Sequence, residues 1–184
     1  MLSEIEMLNR QIETPRLILV LPELWHLEAY VAYCASDRAQ FVGGPFSAAK
    51  AFEKLCAMAG HWTLRGFGRY VITLKNGGQA IGHVGALLVD NTEPPEMTWS
   101  LWLDSAEGQG YAFEAAQSYL AQANEFVGAR DMLIRIAAEN TRSHNLALRL
   151  GAVVDDHTPA PPWLQNATTY RLEVQSRSAA DFRD

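Results

Sequence analysis

The chain predicts an α+β fold, a mixed and mostly antiparallel sheet of six to seven strands flanked by about four helices. Three observations carry this. Asn76-Gly77-Gly78 stands between two alternating apolar runs, Arg69 to Lys75 and Ala80 to Val89, a strong hairpin signal. After a strand at Met97 to Leu103 the apolar period changes, with Ala112, Ala116, Tyr119, Ala123 and Phe126 marking a long helix before a strand at Met132 to Ala138. Such a strand–helix–strand crossover puts at least one parallel pair into the sheet. Finally, Ala152 to Asp155 and Thr168 to Val174 bracket a proline-rich loop and read as a closing hairpin.

The remaining elements follow in chain order. Residues 1–13 form an amphipathic arm, with Leu2, Ile5, Leu8 and Ile12 on one side. Arg16 to Val20 is a strand, and Pro22 opens a helix whose Leu24, Leu27, Val31 and Cys34 recur at helical spacing. Ser47 is suited to cap a second helix, with Ala48, Phe52, Leu55, Cys56 and Ala59 on one face up to Gly60. Thr141 to Leu150 is a short helix closed by Gly151. One domain over residues 1–175 and a flexible tail over 176–184 are expected.

Composition narrows the function. Residues AVILMFWYC make up 48% of the 184 and charged residues 20%, enough apolar surface for one globular core and too little excess charge for disorder. The net charge of -6 argues against a general nucleic-acid binder, which needs a basic stripe. Apolar runs such as Leu17 to Leu21 and Ala86 to Val89 are far short of a membrane span. The opening MLSEIEMLNR carries two glutamates and no basic leader, so a cytoplasmic location is expected. Cys34 and Cys56 sit among apolar helical residues and read as reduced core thiols; no metal is expected.

The most informative segment runs from Trp99 to Ala116. A strand ends, a loop carries Gly108 and Gly110, and a helix begins at once. Unsatisfied amides at a helix N-terminus suit a phosphate or pyrophosphate, and glycine lets the backbone approach it. Phe113 stands where a Rossmann fingerprint needs glycine, and Gln109-Gly110-Tyr111 is not a Walker loop. Taken alone, the segment is either an anion cradle or an ordinary tight turn.

The run Glu107-Gly-Gln-Gly-Tyr-Ala112 resembles the pyrophosphate loop, Q/R-x-x-G-x-G/A, of the GNAT superfamily of acyl-CoA-dependent N-acetyltransferases. Thr14-Pro15-Arg16-Leu17-Ile18-Leu19 resembles the opening strand of the branch that acetylates ribosomal-protein N-termini at alanine or serine. Asn140-Thr-Arg-Ser143 with Leu150-Gly151 resembles its second cofactor motif, N-x-x-S with a glycine eleven residues on. The element order agrees across roughly residues 13–175. Glu107 departs from the usual Gln/Arg. Ala147 replaces a tyrosine thought to act as general acid, and Ala152 a phenylalanine.

The resemblance implies a splayed parallel strand pair holding acetyl-CoA as co-substrate. The pantetheine arm would lie along Leu101, Trp102 and Leu103, with the Leu103 amide polarising the thioester carbonyl. Gly108, Gln109, Gly110, Tyr111 and Ala112 would hold the pyrophosphate, and Asn140 and Ser143 would also touch the cofactor. Ser143 would protonate the departing thiolate, and Arg142 would either reach a cofactor phosphate or stay an exposed helix arginine. An amine would attack directly, aided by Glu96 or His83 as base. Each has a plainer reading: Asn140 as a helix cap, Ser143 as a surface serine, Glu96 as a solvated strand-start charge, His83 as a sheet histidine. For the acceptor, His61, Trp62 and Phe67 are the candidate walls, together with Phe41, Phe46 and Trp163. The overall acidity favours a cationic amine. A non-catalytic acyl-CoA-binding module on the same fold and a structural domain are the rival readings. The arm at residues 2–12 is a surface on which a second copy could dock, as a homodimer.

Overall fold

In the computed structural model, residues 11–89 and 91–174 are described. The chain runs through β1 (Ile12–Glu13), β2 (Leu17–Val20), α1 (Leu27–Ala35), α2 (Ala48–Arg65), β3 (Arg69–Leu74) and β4 (Ala80–Leu87). It continues through β5 (Glu96–Leu101), α3 (Tyr111–Phe126), β6 (Asp131–Ala137), α4 (Thr141–Arg149), β7 (Val153–Val154) and β8 (Ala167–Glu173). Short 3-10 turns at Leu24–His26, Asp37–Val42, Asp104–Ala106 and Pro162–Leu164 link them.

One eight-stranded sheet has the order β1-β2-β3-β4-β5-β6-β8-β7. Every neighbouring pair is antiparallel except β5 and β6, the pair the crossover requires. The strand beyond the expected set is β1, a two-residue edge piece too short for sequence alternation to register, while the other short edge strand, β7, falls within the expected Ala152 to Asp155. β1 takes in the end of the segment expected as an arm; the rest of the arm and the tail at 176–184 lie outside the described residues.

Two helix layers sandwich the sheet. Tyr30, Tyr33 and Cys34 of α1 and Ala51, Leu55 and Met58 of α2 pack with Val71 on one face. Ala115, Ala116, Tyr119 and Ala123 of α3 and Ala147 of α4 pack with Tyr70, Ile72 and Val84 on the other. Burying both faces supplies the driving force, about 25 cal/mol per Å² of apolar surface removed from water.

Two helix faces differ from the sequence pattern. Residues 24–26 form a 3-10 turn in which the Glu23 amide donates to His26 Nδ1 at 2.9 Å, so Leu24 is thrown outward and stands 71% exposed. On α2 the buried set is Ala51, Leu55, Met58 and Trp62, one position round from the expected face, and the helix continues past Gly60 to Arg65. Phe52 is therefore exposed, and Cys56 is a surface thiol and not a core one. Ser47 does cap α2, its side chain accepting from the Lys50 amide at 3.2 Å. Among the described residues no helix is long and apolar enough to cross a membrane.

Candidate functional site

β5 and β6 pair at one position, Glu96 opposite Leu133, where the Leu133 amide donates to the Pro95 carbonyl at 2.9 Å. Beyond it β6 stays on a seven-residue ladder with β8 and parts from β5. The gap is a cleft of about 1250 Å³ that passes through the sheet. It is lined by Gly108, Gly110, Tyr111 and Ser143 on the α3/α4 side and by Tyr33, Lys54, Arg69 and His83 on the α1/α2 side.

Strand alternation decides which backbone groups face this gap. The Trp102 amide donates to the Ile81 carbonyl at 2.7 Å, so even-numbered residues of β5 address β4. Trp99 and Leu101 then turn their amides toward the opening, and Leu103 extends the series. Trp102, expected to bind pantetheine through its backbone, is corrected: its amide belongs to the β4 ladder and its indole donates to His83 Nδ1 at 2.9 Å. The Leu101 carbonyl is already held by Arg38 Nη2 at 3.0 Å. Trp99 was the position the sequence reading passed over, and counting alternation back from Trp102 identifies it.

At the wide end, Gly110 caps α3 with φ +79 and Gly108 has φ +71, left-handed conformations that favour glycine. A Cβ on Gly108 would meet nothing within 4 Å, so its approach to a ligand is open. Behind this turn lies a clamp built by Thr14 and Arg16. Thr14 Oγ1 donates to Glu114 Oε1 at 2.5 Å, Arg16 Nε donates to Glu114 Oε2 at 2.6 Å, and Arg16 Nη1 donates to the Gln109 carbonyl at 2.8 Å. Burial pushes the Glu114 carboxyl up, but the hydrogen bonds from Thr14 and Arg16 outweigh it and hold its pKa below the ordinary glutamate range. Glu107 does not repel a neighbouring anion unaided: it joins Arg38 Nη2 at 2.6 Å and Arg142 Nη1 in an ion-paired bridge across the mouth. Arg142, 80% exposed in its side chain, is thus already paired.

Asn140 caps α4, its Oδ1 accepting from the Ser143 amide at 3.2 Å. Ser143 Oγ accepts from the Trp99 indole at 3.2 Å. An indole N–H can only donate, so Ser143 keeps its own hydroxyl proton for another acceptor. The cleft is open beside it.

At the narrow end, Glu96 lines the cleft, and its Oε2 accepts from Arg135 Nη1 at 2.7 Å. Burial pushes its pKa up, with Arg135 opposing. His83 is a poor base. Because Trp102 occupies Nδ1 as donor, the neutral ring carries its proton on Nε2. Burial, with Arg69 and Lys54 nearby, holds its pKa well below the ordinary histidine range.

The expected acceptor walls are corrected. His61 has both ring nitrogens engaged, Nδ1 with the Phe67 carbonyl at 2.7 Å and Nε2 accepting from the Leu88 amide at 2.9 Å. Trp62 and Phe67 belong to the core, where the Trp62 indole donates to the Arg69 carbonyl at 3.0 Å. None of the three lines the cleft. Phe41 and Trp163 do, and they also line an adjoining hollow of about 620 Å³ with Gln40, Glu139 and Asn166.

Comparison with known proteins agrees with this architecture. An acetyltransferase from Agrobacterium tumefaciens is 28% identical, with a TM-score of 0.81 over 89% of this chain and 94% of that one. RimL, a ribosomal L7/L12 alpha-N-protein acetyltransferase solved with coenzyme A, shares the fold at 16% identity, with a TM-score of 0.73 over 90% of this chain and 98% of its own. The microcin C7 self-immunity acetyltransferase MccE, solved with acetyl-CoA and AMP, shares it at 13% identity and a TM-score of 0.71, over 88% and 94% of the two chains. No curated protein matches. Residues 16–153 match the family described as the acetyltransferase (GNAT) domain, so the splayed sheet, the glycine turn and the capped α4 are features of a family member: the chain belongs to the GNAT acetyltransferases.

Proposed function

We propose that the protein is an acetyl-CoA-dependent N-acetyltransferase that moves an acetyl group to a primary amine, a protein N-terminus or a small-molecule amine, by direct attack on the thioester. The observation that carries this reading is the continuous opening from the Gly108–Gly110 turn, past Trp99 and Ser143, to Glu96. The residues present fit acetyl-CoA as co-substrate. Amides of the α3 N-terminus and the glycine turn receive a pyrophosphate. Trp99 and Leu101 present a strand edge to an arm that carries amides of its own.

Acetyl-CoA brings the activated thioester; the chain positions it and moves protons. Ser143 donates its hydroxyl proton to the leaving sulfur and is reprotonated in turn by solvent in the open cleft, with the Trp99 indole holding the oxygen in place. Since Ser143 touches Trp99, the carbonyl lies at the level of Trp99, and the Trp99 amide is the oxyanion donor in place of Leu103. Leu103 lies four residues beyond Trp99, past the end of β5 and toward the glycine turn, away from the level of the Ser143 hydroxyl. Glu96 takes the amine proton at Oε1, the oxygen left over when Oε2 binds Arg135. The burial that raises its pKa strengthens it as a base. Ala147, where a tyrosine acid would stand in relatives, is fully buried, which leaves the acid role to Ser143.

The test is thiol release from acetyl-CoA with a panel of amines and N-terminal peptides, alongside the CoA-induced rise in melting temperature. A ligand at a hundred times its dissociation constant stabilises by about 2.7 kcal/mol. Amine-dependent release that falls on the order of a hundredfold in Ser143→Ala, with the CoA shift retained, supports the reading. A CoA shift without release across the panel points to an acyl-CoA-binding module instead. Absence of any shift overturns the assignment of the cleft.

A further inference from the structure

The α1/α2 side of the cleft holds two cations that the proposed chemistry does not use. Arg69 opens β3 and Lys54 projects from the second turn of α2; both line the cleft and both are half-buried. Among the described residues the Arg69 guanidinium has no hydrogen bond or salt bridge, and Lys54 has only the face of Phe46, 4.3 Å from its ring centroid. The two lie within electrostatic reach of each other and of His83. Burial works against the charge on each. In a chain of net charge -6, two neighbouring half-buried cations with no ion pair of their own, and with only Glu96, itself held by Arg135, within longer electrostatic reach of Arg69, are costly unless a ligand answers them.

Their position separates them from the cofactor end. Arg69 pairs with Gly85, and Gly85 with Thr98, so no side chain on β4 stands between Arg69 and the narrow end of the cleft. Thr98 precedes Leu103, which opens the 3-10 turn leading to the glycine turn, by five residues, about 16 Å along a strand. The anionic partner of Arg69 is therefore not the pyrophosphate. At the same narrow end, Glu96 is within electrostatic reach of Arg69. One pocket thus offers a carboxylate oxygen for an amine and, beside it, two unanswered cations for an anion.

Resting on the transferase reading, we propose that the acceptor is amino-acid-like: a small primary amine bearing a carboxylate or phosphonate-type anion close to the amine, with Arg69 and Lys54 receiving the anion and Glu96 the amine. This reverses the preference that the overall acidity suggests, because local charge in a half-buried cleft outweighs the field of the whole chain.

The test compares matched amines that differ in one group, a carboxylate, a phosphonate or the neutral primary amide, with both thiol release and calorimetric binding to the CoA-loaded protein. The anionic members should be favoured on the order of 30-fold in kcat/KM, the scale of a charge-assisted hydrogen bond. That ratio should fall toward one in Arg69→Met, fall partway in Lys54→Met and return in part in Arg69→Lys. The carboxylate and phosphonate arms show which anion fits. Equal use of neutral and anionic members, or a preference that survives Arg69→Met, overturns the proposal. If nothing is acetylated yet the anionic amines bind more tightly through Arg69, the anion site stands and the assignment of Ser143 as acid and Glu96 as base for acetyl transfer fails. If neither turnover nor binding prefers the anion, the inference fails whatever becomes of the transferase reading.

Discussion

The two mouths of the cleft differ in how their charges are answered. On the α3/α4 side Glu107 sits between Arg38 and Arg142, and Glu114 between Thr14 and Arg16. Arg38 also pairs with Asp104 and holds the Leu101 carbonyl. On the α1/α2 side Arg69 and Lys54 form no ion pair among the described residues, and Glu96, the carboxylate within longer reach of Arg69, is already held by Arg135. Cross-braced charge fixes a surface before its ligand arrives and lowers the ordering cost of binding. Unanswered charge leaves the choice of ligand to whatever completes it. Under the proposed reading, the contrast suits acetyl-CoA on the braced side and a selected amine on the other.

The largest effect should come from the narrow middle. Glu96→Gln removes the proton acceptor while keeping an oxygen for Arg135, and kcat should fall on the order of a hundredfold with the KM for acetyl-CoA within about twofold. A large rise in that KM would instead put Glu96 on the cofactor side. Next comes the clamp. Glu114→Gln should raise the KM for acetyl-CoA about tenfold and cost about 1 kcal/mol, a few degrees in melting temperature. The folded pKa of Glu114 lies below its unfolded value of about 4.3. Its contribution is therefore present above that pH and is lost as the pH falls through the folded value. Thermal melts from pH 6 downward should show this acid loss reduced in the variant.

Smaller still, Trp99→Phe removes the indole that holds Ser143 Oγ and should slow thiol release about three- to tenfold, with CoA binding kept. Unchanged kcat would mean that Ser143 needs no such restraint. Smallest is His83→Gln, which keeps an acceptor for the Trp102 indole. Because His83 stays neutral through the working range, the acid limb of the kcat/KM profile should shift by less than about half a pH unit. A larger shift would return His83 to the chemistry.

The helix starts were legible because their signals are local. A serine before α2, an asparagine before α4 and glycines before α3 each act within a few residues of themselves. The α1/α2 wall of the cleft was not. It gathers residues 33, 54, 69 and 83 from four elements, and an arginine and a lysine in a sequence look like surface charge until the fold turns them inward. His61, Trp62 and Phe67 looked suited to a pocket because they are aromatic and close to loops, yet the α2 face that carries Trp62 is set by its partner layer. The misplacement of Phe52 and Cys56 has the same cause. α2 has apolar residues on more than one side, and only packing selects between them.

The gap between β5 and β6 opens on both faces of the sheet. Under the proposed reading the two substrates then arrive through separate doors, and neither must depart before the other enters. Initial rates measured at several fixed amine concentrations should give intersecting double-reciprocal lines, not parallel ones. A dead-end CoA analogue should compete with acetyl-CoA while leaving the amine free to bind, and an acceptor analogue should show the mirror pattern. Blocking one entrance, for example by attaching a bulky group beside Trp163, should obstruct one substrate and spare the other.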